Sequence, residues 1–385
     1  MFNTWMERMK KIILTFGILV LVIIGIGIIF ISGCAQQIEE KEDTEKFGVI
    51  SSSETWSGVV RVTGDILVEN DVTLTILPGT KILISANSDK SNMFGKGPCE
   101  EGDIKDFDML KGINEKWENM CGVHKGEPFR DEGNHITIQI GGELHAVGTS
   151  DEPIIIKSDA ETPGRYDWNH FIINNGILSY TQVSNYRTLE IGSNVKINHN
   201  TLSNIGELGL GIYSNNTIEY NKIFDSGHEL IGTGQASPII RYNILGPNPA
   251  HAGIIIEGGN PIIEHNHFIE TGGMIVILEG IESPTTIKIM YNTFDKEGAL
   301  MLGCVLGKIE KNNIYCTIIL TGSNCPVESL DLSNNYWGTT DKELLYKRLV
   351  EPDDLDLKIG RKITYEPYLT KAVEIGLSVS PTTTP

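Results

Sequence analysis

The stretch TIEYNKIFDSG, residues 217–227, contains a short pattern that recurs along the second half of the chain. In this pattern an isoleucine or leucine precedes an asparagine by three positions, and an apolar residue follows the asparagine two positions later. Seven copies lie 20 to 26 residues apart, with their asparagines at Asn200, Asn221, Asn243, Asn266, Asn292, Asn312 and Asn335. Self-similarity at such a period is typical of a solenoid.

Each repeat also contains a short apolar run bounded by Gly, Asn or Pro, for example GIIIEG at 253–258 and CTIILTG at 316–322. Such runs are typical of β-strands, whereas a helical solenoid has longer repeats with a 3.6-residue period. One repeat of about 22 residues therefore forms one coil of two or three strands. Equivalent residues of successive coils should lie about 4.8 Å apart.

This stacking explains why asparagine recurs. At a corner between two strands, each asparagine side chain can donate to and accept from the asparagines above and below it. Asparagine also tolerates the left-handed backbone that a sharp corner needs. The seven asparagines are therefore predicted to form a structural ladder, with the flanking Ile, Leu and Phe stacked inside as the core.

The repeats resemble the right-handed parallel β-helix superfamily, which includes pectate lyases, polygalacturonases and NosD-like periplasmic proteins. The resemblance extends upstream to WSGVVRVTGDILVENDVTLTILPGTKILI and HITIQIGGELHAVGTSDEPIIIKS, and downstream to NNYWGTTD, which looks like a closing motif. It implies an all-β right-handed parallel β-helix over residues 56–370. The following stretch DKELLYKRLVE favours a short helix that caps the C-terminal end.

The same resemblance implies little about chemistry, because one coil architecture carries unrelated activities. The chain has no R-x-P-x-x-R or W-I-D-H stretch like those of pectate lyases. It also lacks the N-T-D, G-H-G and R-I-K set of polygalacturonases, since Gly227-His228-Glu229 has no second glycine. No methionine or histidine cluster is dense enough to indicate copper binding.

The N-terminus predicts export. Arg8, Lys10 and Lys11 precede an apolar run over residues 12–31, which is long enough to cross a bilayer and has its positive charges on the cytoplasmic side. The run ends in Ile-Ser-Gly before Cys34, which resembles the lipobox of prokaryotic lipoproteins. The alternatives are an uncleaved membrane anchor and a cleaved secretory peptide.

The chain therefore divides into a signal, lipoprotein or anchor segment at 1–34, a polar linker at 35–55, a β-helix domain at 56–370 and a flexible tail at 371–385. An insertion at 88–134 interrupts the β-helix domain. A loop of that length is usually functional or disordered. Either this insertion or the first coil is expected to cover the N-terminal end.

The cysteines fit an oxidising compartment. Cys99 and Cys121, both in the insertion, are predicted to form a disulfide if the chain is exported, and are otherwise free thiols. Cys304 and Cys316 fall within apolar strands, where a buried free thiol is expected. A bridge between Cys316 and Cys325 is an alternative.

Composition and charge exclude some partners. The chain of 385 residues is 40% hydrophobic but only 7% aromatic, so its core must be aliphatic. A formal net charge of -19 leaves no basic stripe to replace the counterions of a phosphate backbone, which argues against nucleic-acid binding.

Counting from the repeat asparagines suggests two columns of polar residues on the outer surface. Glu207, His228 and His251 would lie on three successive coils and could bind zinc or another transition metal. Glu257 and Glu279 lie 22 residues apart in similar contexts, so their carboxylates could pair on adjacent coils. Paired carboxylates could bind Ca²⁺ or catalyse glycoside hydrolysis. Chance alignment of polar surface residues is the alternative.

An aromatic column should precede the asparagines. Its members are Tyr220, Tyr242, His265 and Tyr291. The rings could stack on sugars, or they could stack on one another between coils as a structural feature.

These features predict a membrane-tethered protein outside the cytoplasm that has a structural or binding role at a prokaryotic cell surface. The expected partners are polysaccharide or cell-envelope proteins, besides the membrane itself. The alternatives are a polysaccharide lyase or glycoside hydrolase, with Glu257, Glu279, His228 and His251 as catalytic candidates, and a NosD-like metal-delivery protein.

Overall fold

The computed structural model describes residues 44–91, 93–94, 135–277, 285–320, 328–350 and 362–376. In these residues the chain winds into a right-handed parallel β-solenoid of about 10 turns, with about 22 residues per turn. This confirms the predicted solenoid fold. The described part contains no helix long and apolar enough to cross a bilayer, and the apolar run at 12–31 lies outside it.

Strands make up almost all of the regular structure. Those before the insertion are β1 Thr44–Ile50, β2 Glu54–Trp56, β3 Val59–Val68, β4 Thr73–Ile76 and β5 Lys81–Ile84. Those between the insertion and the first repeat asparagine are β6 Ile138–Ile140, β7 Glu143–Val147, β8 Ile154–Ser158, β9 Trp168–Ser179, β10 Thr181–Ser184 and β11 Tyr186–Asn198.

The coils that carry the repeat asparagines contain shorter strands. They are β12 Thr201–Ser203, β13 Leu208–Ile212, β14 Thr217–Glu219, β15 Lys222–Ile223, β16 Ile231–Gly232, β17 Ile239–Arg241, β18 Ile244–Leu245, β19 Asn248–Ile256, β20 Ile262–Glu264, β21 His267–Phe268, β22 Thr271–Ile277, β23 Thr285–Met290, β24 Thr293–Phe294, β25 Ala299–Leu302, β26 Val305–Glu310, β27 Asn313–Ile314 and β28 Thr317–Leu320. The remaining elements are β29 Ser329–Asp331, helix α1 Lys342–Tyr346, β30 Leu349–Val350 and β31 Lys362–Thr364.

Parallel pairing arranges these strands into three faces. Face A contains the strands that follow each repeat asparagine, from β12 through β15, β18, β21 and β24 to β27. Face B runs from β13 through β16, β19, β22, β25 and β28 to β30. Face C runs from β14 through β17, β20 and β23 to β26. The longer β9 and β11 continue from face B into face C.

Like side chains stack on like inside the solenoid. One inward column on face A is aligned residue by residue and is fully buried; its members are Leu202, Ile223, Leu245, Phe268, Phe294 and Ile314. The rings of Phe268 and Phe294 stack at 4.8 Å. The core is therefore a continuous aliphatic column with few rings, as the composition predicted.

The seven repeat asparagines line the corner between faces C and A, and each is at most 2% exposed. At each step the Oδ1 of one asparagine accepts the backbone N–H and the Nδ2–H of the asparagine one coil upstream, at 2.9–3.1 Å. Thr181 donates its backbone N–H to the Oδ1 of Asn200 at the upstream end. The side chains therefore satisfy backbone groups that the corner leaves unpaired.

One detail of the corner was predicted wrongly. The left-handed backbone falls on the residue before each asparagine, for example Tyr220 at φ 59° and His265 at φ 59°. The asparagine itself keeps a backbone conformation with negative φ, and its side-chain amide points along the solenoid axis. The preceding residue therefore makes the turn, and its side chain points outward.

The fold begins earlier than expected, because β1 lies within residues 35–55 that were predicted to be a linker. Its charged side chains lie on the outer surface, where Lys46 pairs with Glu54 at 2.6 Å and Glu45 accepts from Thr63 at 2.7 Å. The exposed positions of this strand include Phe47 and Val49, and Lys46 lies in register with the buried Val62 of β3. The strand therefore lacks the usual alternation of apolar inward and polar outward residues. The edge of β1 opposite β3 has no partner strand among the described residues.

Most of the insertion at 88–134 lies outside the described residues, but both of its ends are held by one carboxylate. Asp65, which is 2% exposed, accepts the backbone N–H of Met93 and of Thr137, each at 2.7 Å. Asp89 in turn accepts the backbone N–H of Asp65 at 3.0 Å. These carboxylates fix the base of the insertion to the second coil.

The C-terminal elements follow the last asparagine. Asp341 caps α1 by accepting from the backbone N–H of Glu343 and Leu344. Leu345 of α1 is fully buried in the hydrophobic core. Residues 371–376, the first part of the predicted tail, lie against the solenoid, and residues 377–385 lie outside the described ranges.

The two cysteines in the described residues differ. Cys316 is buried and free, and burial raises the pKa of its thiol to about 12. The expectation of a free thiol is wrong for Cys304, which is disulfide-bonded. The sequence placed Cys304 within a strand, but it lies in the bend between β25 and β26 and is only half-buried. Cys34, Cys99, Cys121 and Cys325 lie outside the described residues.

Candidate functional site

Aromatic rings form a continuous stack outside the asparagine corner. The rings of Tyr180, His199, Tyr220, Tyr242, His265 and Tyr291 follow one another with centroids 4.5–5.0 Å apart and planes within 20° of parallel. We call this the ring column. At its downstream end, Lys311 lies over the Tyr291 ring and donates to its hydroxyl at 3.0 Å.

The stacking decides what the ring column can bind. Each interior ring has both faces covered by its neighbours, so a sugar ring cannot stack on Tyr220, Tyr242 or His265. Only the ring edges and polar atoms are accessible. The four residues predicted as a sugar-stacking strip are brought together, but in the arrangement of structural stacking between coils.

A different aromatic residue is available on face B. In register, the outward positions of β11, β13, β16 and β19 are Glu190, Gly211, Gly232 and Ile255. The two glycines make room for neighbouring side chains, since a methyl group at Gly211 would lie 3.2 Å from Cδ2 of Leu208 and 3.3 Å from Cε2 of Tyr213. A methyl group at Gly232 would lie 3.4 Å from Cδ1 of the same leucine. The side chains of Leu208 and Tyr213 therefore cover the surface above the glycines.

Tyr213 packs against glycines of two successive coils. A methyl group added at Gly234 would lie 3.1 Å from Cδ1 of Tyr213, so the ring rests against this glycine. The side chain is nevertheless 58% exposed. Burial of its hydroxyl raises the pKa of Tyr213, and the negative charges of Glu190, Glu257 and Glu207 raise it further. We call the surface formed by these carboxylates, Arg187 and Tyr213 the Tyr213 face.

A buried ion pair supports the Tyr213 face from one side. Arg187 Nε donates to Glu207 Oε2 at 2.6 Å, with side chains 8% and 18% exposed. Burial raises the pKa of Glu190, the charge of Glu207 raises it further, and Arg187 opposes both. Glu190 therefore holds a proton more readily than an isolated glutamate does.

His170 lies one coil upstream, in register with Thr188 of β11. Burial lowers the pKa of His170 to about 4, and the nearby charge of Arg187 contributes. The imidazole is therefore neutral at physiological pH. It can donate or accept a hydrogen bond but adds no positive charge to the Tyr213 face.

The predicted column of Glu207, His228 and His251 is brought together in part. The rings of His228 and His251 stack with centroids 4.7 Å apart. His228 Nδ1 also pairs with Glu229 Oε1, and both side chains are largely buried. Glu207 is engaged by Arg187, and its backbone carbonyl accepts from Ser226 Oγ at 2.8 Å.

Only one member of the predicted carboxylate pair, Glu257, lies within the described residues. Glu257 is exposed and its backbone carbonyl accepts from Gln235 at 2.9 Å, whereas Glu279 lies outside the described residues. Within the described ranges, no group of three or more His, Cys, Asp or Glu side chains is arranged to hold a metal ion. Neither calcium nor a transition metal is assigned to any of these residues.

An acidic cavity of about 370 Å³ opens between faces A and B further downstream. It is lined by Glu270, Asp295, Lys296, Glu297 and Tyr315. His267 contacts Asp295 at 3.1 Å, whereas His265, two residues earlier, lies in the ring column. The two histidines therefore serve different surfaces.

Sequence reasoning missed His170, Arg187, Glu190 and Tyr213. The first three lie upstream of Asn200, where there was no asparagine from which to count. Tyr213 had a readable signal, because Gly209 and Gly211 alternate with apolar residues immediately before it. Glycine at an outward strand position leaves space for a neighbouring side chain.

No family model, curated protein or solved structure matches this chain. The resemblance to pectate lyases and NosD-like proteins therefore rests on the pattern of the coils alone. The site has to be interpreted from its own geometry.

Proposed function

We propose that this protein is an exported, membrane-tethered β-helix that binds carbohydrate through the Tyr213 face at the cell surface. The observation that carries the proposal is the ring of Tyr213, which rests against Gly211 and Gly234 and is 58% exposed. A flat ring with an open surface is the group on which a sugar ring stacks. The surrounding carboxylates are acceptors for sugar hydroxyls.

Two features support export. Cys304 is disulfide-bonded, and disulfides persist mainly in oxidising compartments outside the cytoplasm. The apolar run at 12–31, its preceding positive charges and Cys34 fit a tethered lipoprotein or anchored protein. A distant relationship to the pectate-lyase-like and NosD-like β-helices fits the same location.

The binding proposal is tested with an oligosaccharide array, followed by calorimetry on a glycan that binds. Tyr213→Ala should weaken binding roughly tenfold or more, because the stacking surface is lost. Tyr346→Ala is the matched control, since Tyr346 is equally exposed but lies on α1, away from the Tyr213 face. Equal affinities for the two variants would contradict the proposal.

A second candidate is a polysaccharide lyase or hydrolase that uses the same surface. The raised pKa of Glu190 beside the ion-paired Glu207 favours it, because a carboxyl that keeps its proton can act as a general acid. Detection of cleaved product that disappears in Glu190→Gln would establish this candidate. Binding without product would leave the carbohydrate-binding role.

We also propose that α1 and β30 close the C-terminal end of the solenoid. Leu345 and Leu349 belong to the hydrophobic core, and β30 pairs with β28 as a further strand of face B. Covering the last coil in this way would prevent edge-to-edge association.

A further inference from the structure

The C-terminal segment Lys371–Gly376 runs along the ring column. Val373 donates its backbone N–H to Asn313 Oδ1 at 2.7 Å, and its carbonyl accepts from Asn313 Nδ2 at 2.9 Å. Two residues later the carbonyl of Ile375 contacts His265 Nδ1 at 2.8 Å. Gly376 reaches Tyr242, since a methyl group added there would lie 4.0 Å from Cε1 of that ring.

These contacts recognise an extended backbone. The Asn313 amide satisfies both the N–H and the C=O of one residue, as a neighbouring strand would. Val373 and Ile375 are half-buried, whereas Ala372, Glu374 and Gly376 are exposed. This alternation has the two-residue period of a strand lying on a surface.

The surface itself is stable without the segment. Asn313 is buried in β27 and also donates Nδ2 to Thr293 Oγ1 at 3.0 Å. His265 is held between Tyr242 and Tyr291 by stacking. The polar groups that contact the segment are thus fixed by the coils, and the ring column continues upstream through Tyr220, which is 43% exposed.

We propose that the ring column and Asn313 form a docking site for an extended peptide, which the chain's own C-terminal segment occupies. The site selects a peptide by backbone hydrogen bonds at Asn313 and His265 and by two apolar side chains in alternate positions. It is separate from the Tyr213 face, which lies on face B, whereas the ring column lies at the corner of faces C and A.

The test uses the full chain and a fluorescent synthetic peptide, TKAVEIG, that matches residues 370–376. Val373→Pro removes the N–H that Asn313 accepts, which should release the segment and vacate the site. The Val373→Pro chain should bind the peptide at least tenfold more tightly than the wild type, where the native segment competes at high effective concentration. Glu374→Pro is the matched control and should behave as the wild type.

Asn313→Asp in the Val373→Pro chain supplies the second arm. A carboxylate keeps the acceptor for the peptide N–H but cannot donate to the peptide carbonyl, so affinity should fall roughly tenfold. A peptide with proline at the valine position should not bind. If the released chain binds no better than the wild type, or if Asn313→Asp binds equally well, the proposal is overturned.

Hydrogen exchange in the unaltered protein tests the same contact. The Val373 amide should exchange at least tenfold more slowly than that of Glu374, which has no hydrogen-bond acceptor among the described residues. Equal exchange at the two amides would show that the site is not occupied by the segment.

Discussion

A single ladder asparagine completes the hydrogen bonding of two neighbouring coils. Asn266 Oδ1 accepts two N–H groups of Asn243, and its Nδ2 donates to the carbonyl of Ile240 at 2.8 Å, the carbonyl of Glu264 at 3.0 Å and Oδ1 of Asn292 at 3.1 Å. All of these groups are buried or partly buried. Loss of the side chain would therefore leave several polar groups without partners.

We expect Asn266→Ala to lower the free energy of unfolding by about 3 to 5 kcal/mol, because buried donors and acceptors lose their partners. Urea unfolding followed by circular dichroism measures this. Asn194→Ala is the matched control, since Asn194 is exposed and should change stability by less than about 0.5 kcal/mol. Similar values for both variants would contradict the ladder's role in stability.

His170 should make stability depend on pH. Its pKa falls from an ordinary 6.5 to about 4 on folding, so between these values the unfolded chain binds more protons than the native one. Stability from this residue is therefore complete above about pH 6.5 and is lost as the pH falls towards about 4.

Urea unfolding at about pH 7 and about pH 4 gives the free energy of unfolding that each variant loses on acidification. This loss should be smaller in His170→Gln than in the wild type by roughly 2 to 3 kcal/mol. His145→Gln is the control, because the side chain of His145 is well exposed. The prediction fails if both variants lose as much stability as the wild type.

At the scale of single residues, spacing alone located all seven asparagines, since an in-register stack forces identical side chains into identical positions. The backbone conformation was harder to read. Tyrosine is uncommon in the left-handed region, and the sequence offered Asn as the more usual occupant. Stacking of the outward rings favours Tyr and His at this corner.

The strands are individually too short to be stable. Several, such as β15 and β18, contain two residues, and they persist because each pairs with strands above and below. Alternation predicted them well where outward residues are neutral. It failed at β1, because its apolar residues Phe47 and Val49 are exposed and do not mark the inward face.

Helix α1 allows a test within one dipeptide. Leu345 is fully buried, while its neighbour Leu344 is 48% exposed. Leu345→Ala should lower the free energy of unfolding by about 2 to 4 kcal/mol through the cavity it leaves, and Leu344→Ala by less than about 0.5 kcal/mol.

If α1 also closes the end of the solenoid, Leu345→Ala should associate at high concentration, which light scattering detects. A variant that is less stable but stays monomeric would separate the packing of α1 from the proposed capping role.

For the whole molecule, the solenoid followed from a repeat that spans only part of the chain, because each coil dictates the geometry of the next. The Tyr213 face did not follow. It depends on two glycines and a tyrosine from two neighbouring coils, and the asparagine count gave no reason to select them. The predicted column found His228 and His251 together, and Glu229, which adjoins the column, pairs with His228.

Tethering is tested by changing the predicted lipidation site. If Cys34 is lipidated, Cys34→Ser should move the protein from the detergent phase to the aqueous phase in a phase-partition assay, or leave it uncleaved with a larger mass. Mass spectrometry of the mature N-terminus distinguishes these results. An unchanged partition and unchanged mass would favour an uncleaved anchor.

The asparagine ladder also makes the molecule divisible. Each ladder asparagine accepts only from the coil before it. Successive coils from Asn200 to Asn335 are therefore joined at this corner by the same hydrogen bonds. Excising residues 244–266 would place His267 after Asn243 and recreate the motif, with Phe268 in the inward position now held by Leu245. Such a chain can shorten or lengthen through its evolution by whole laps of about 5 Å without redesign of either end.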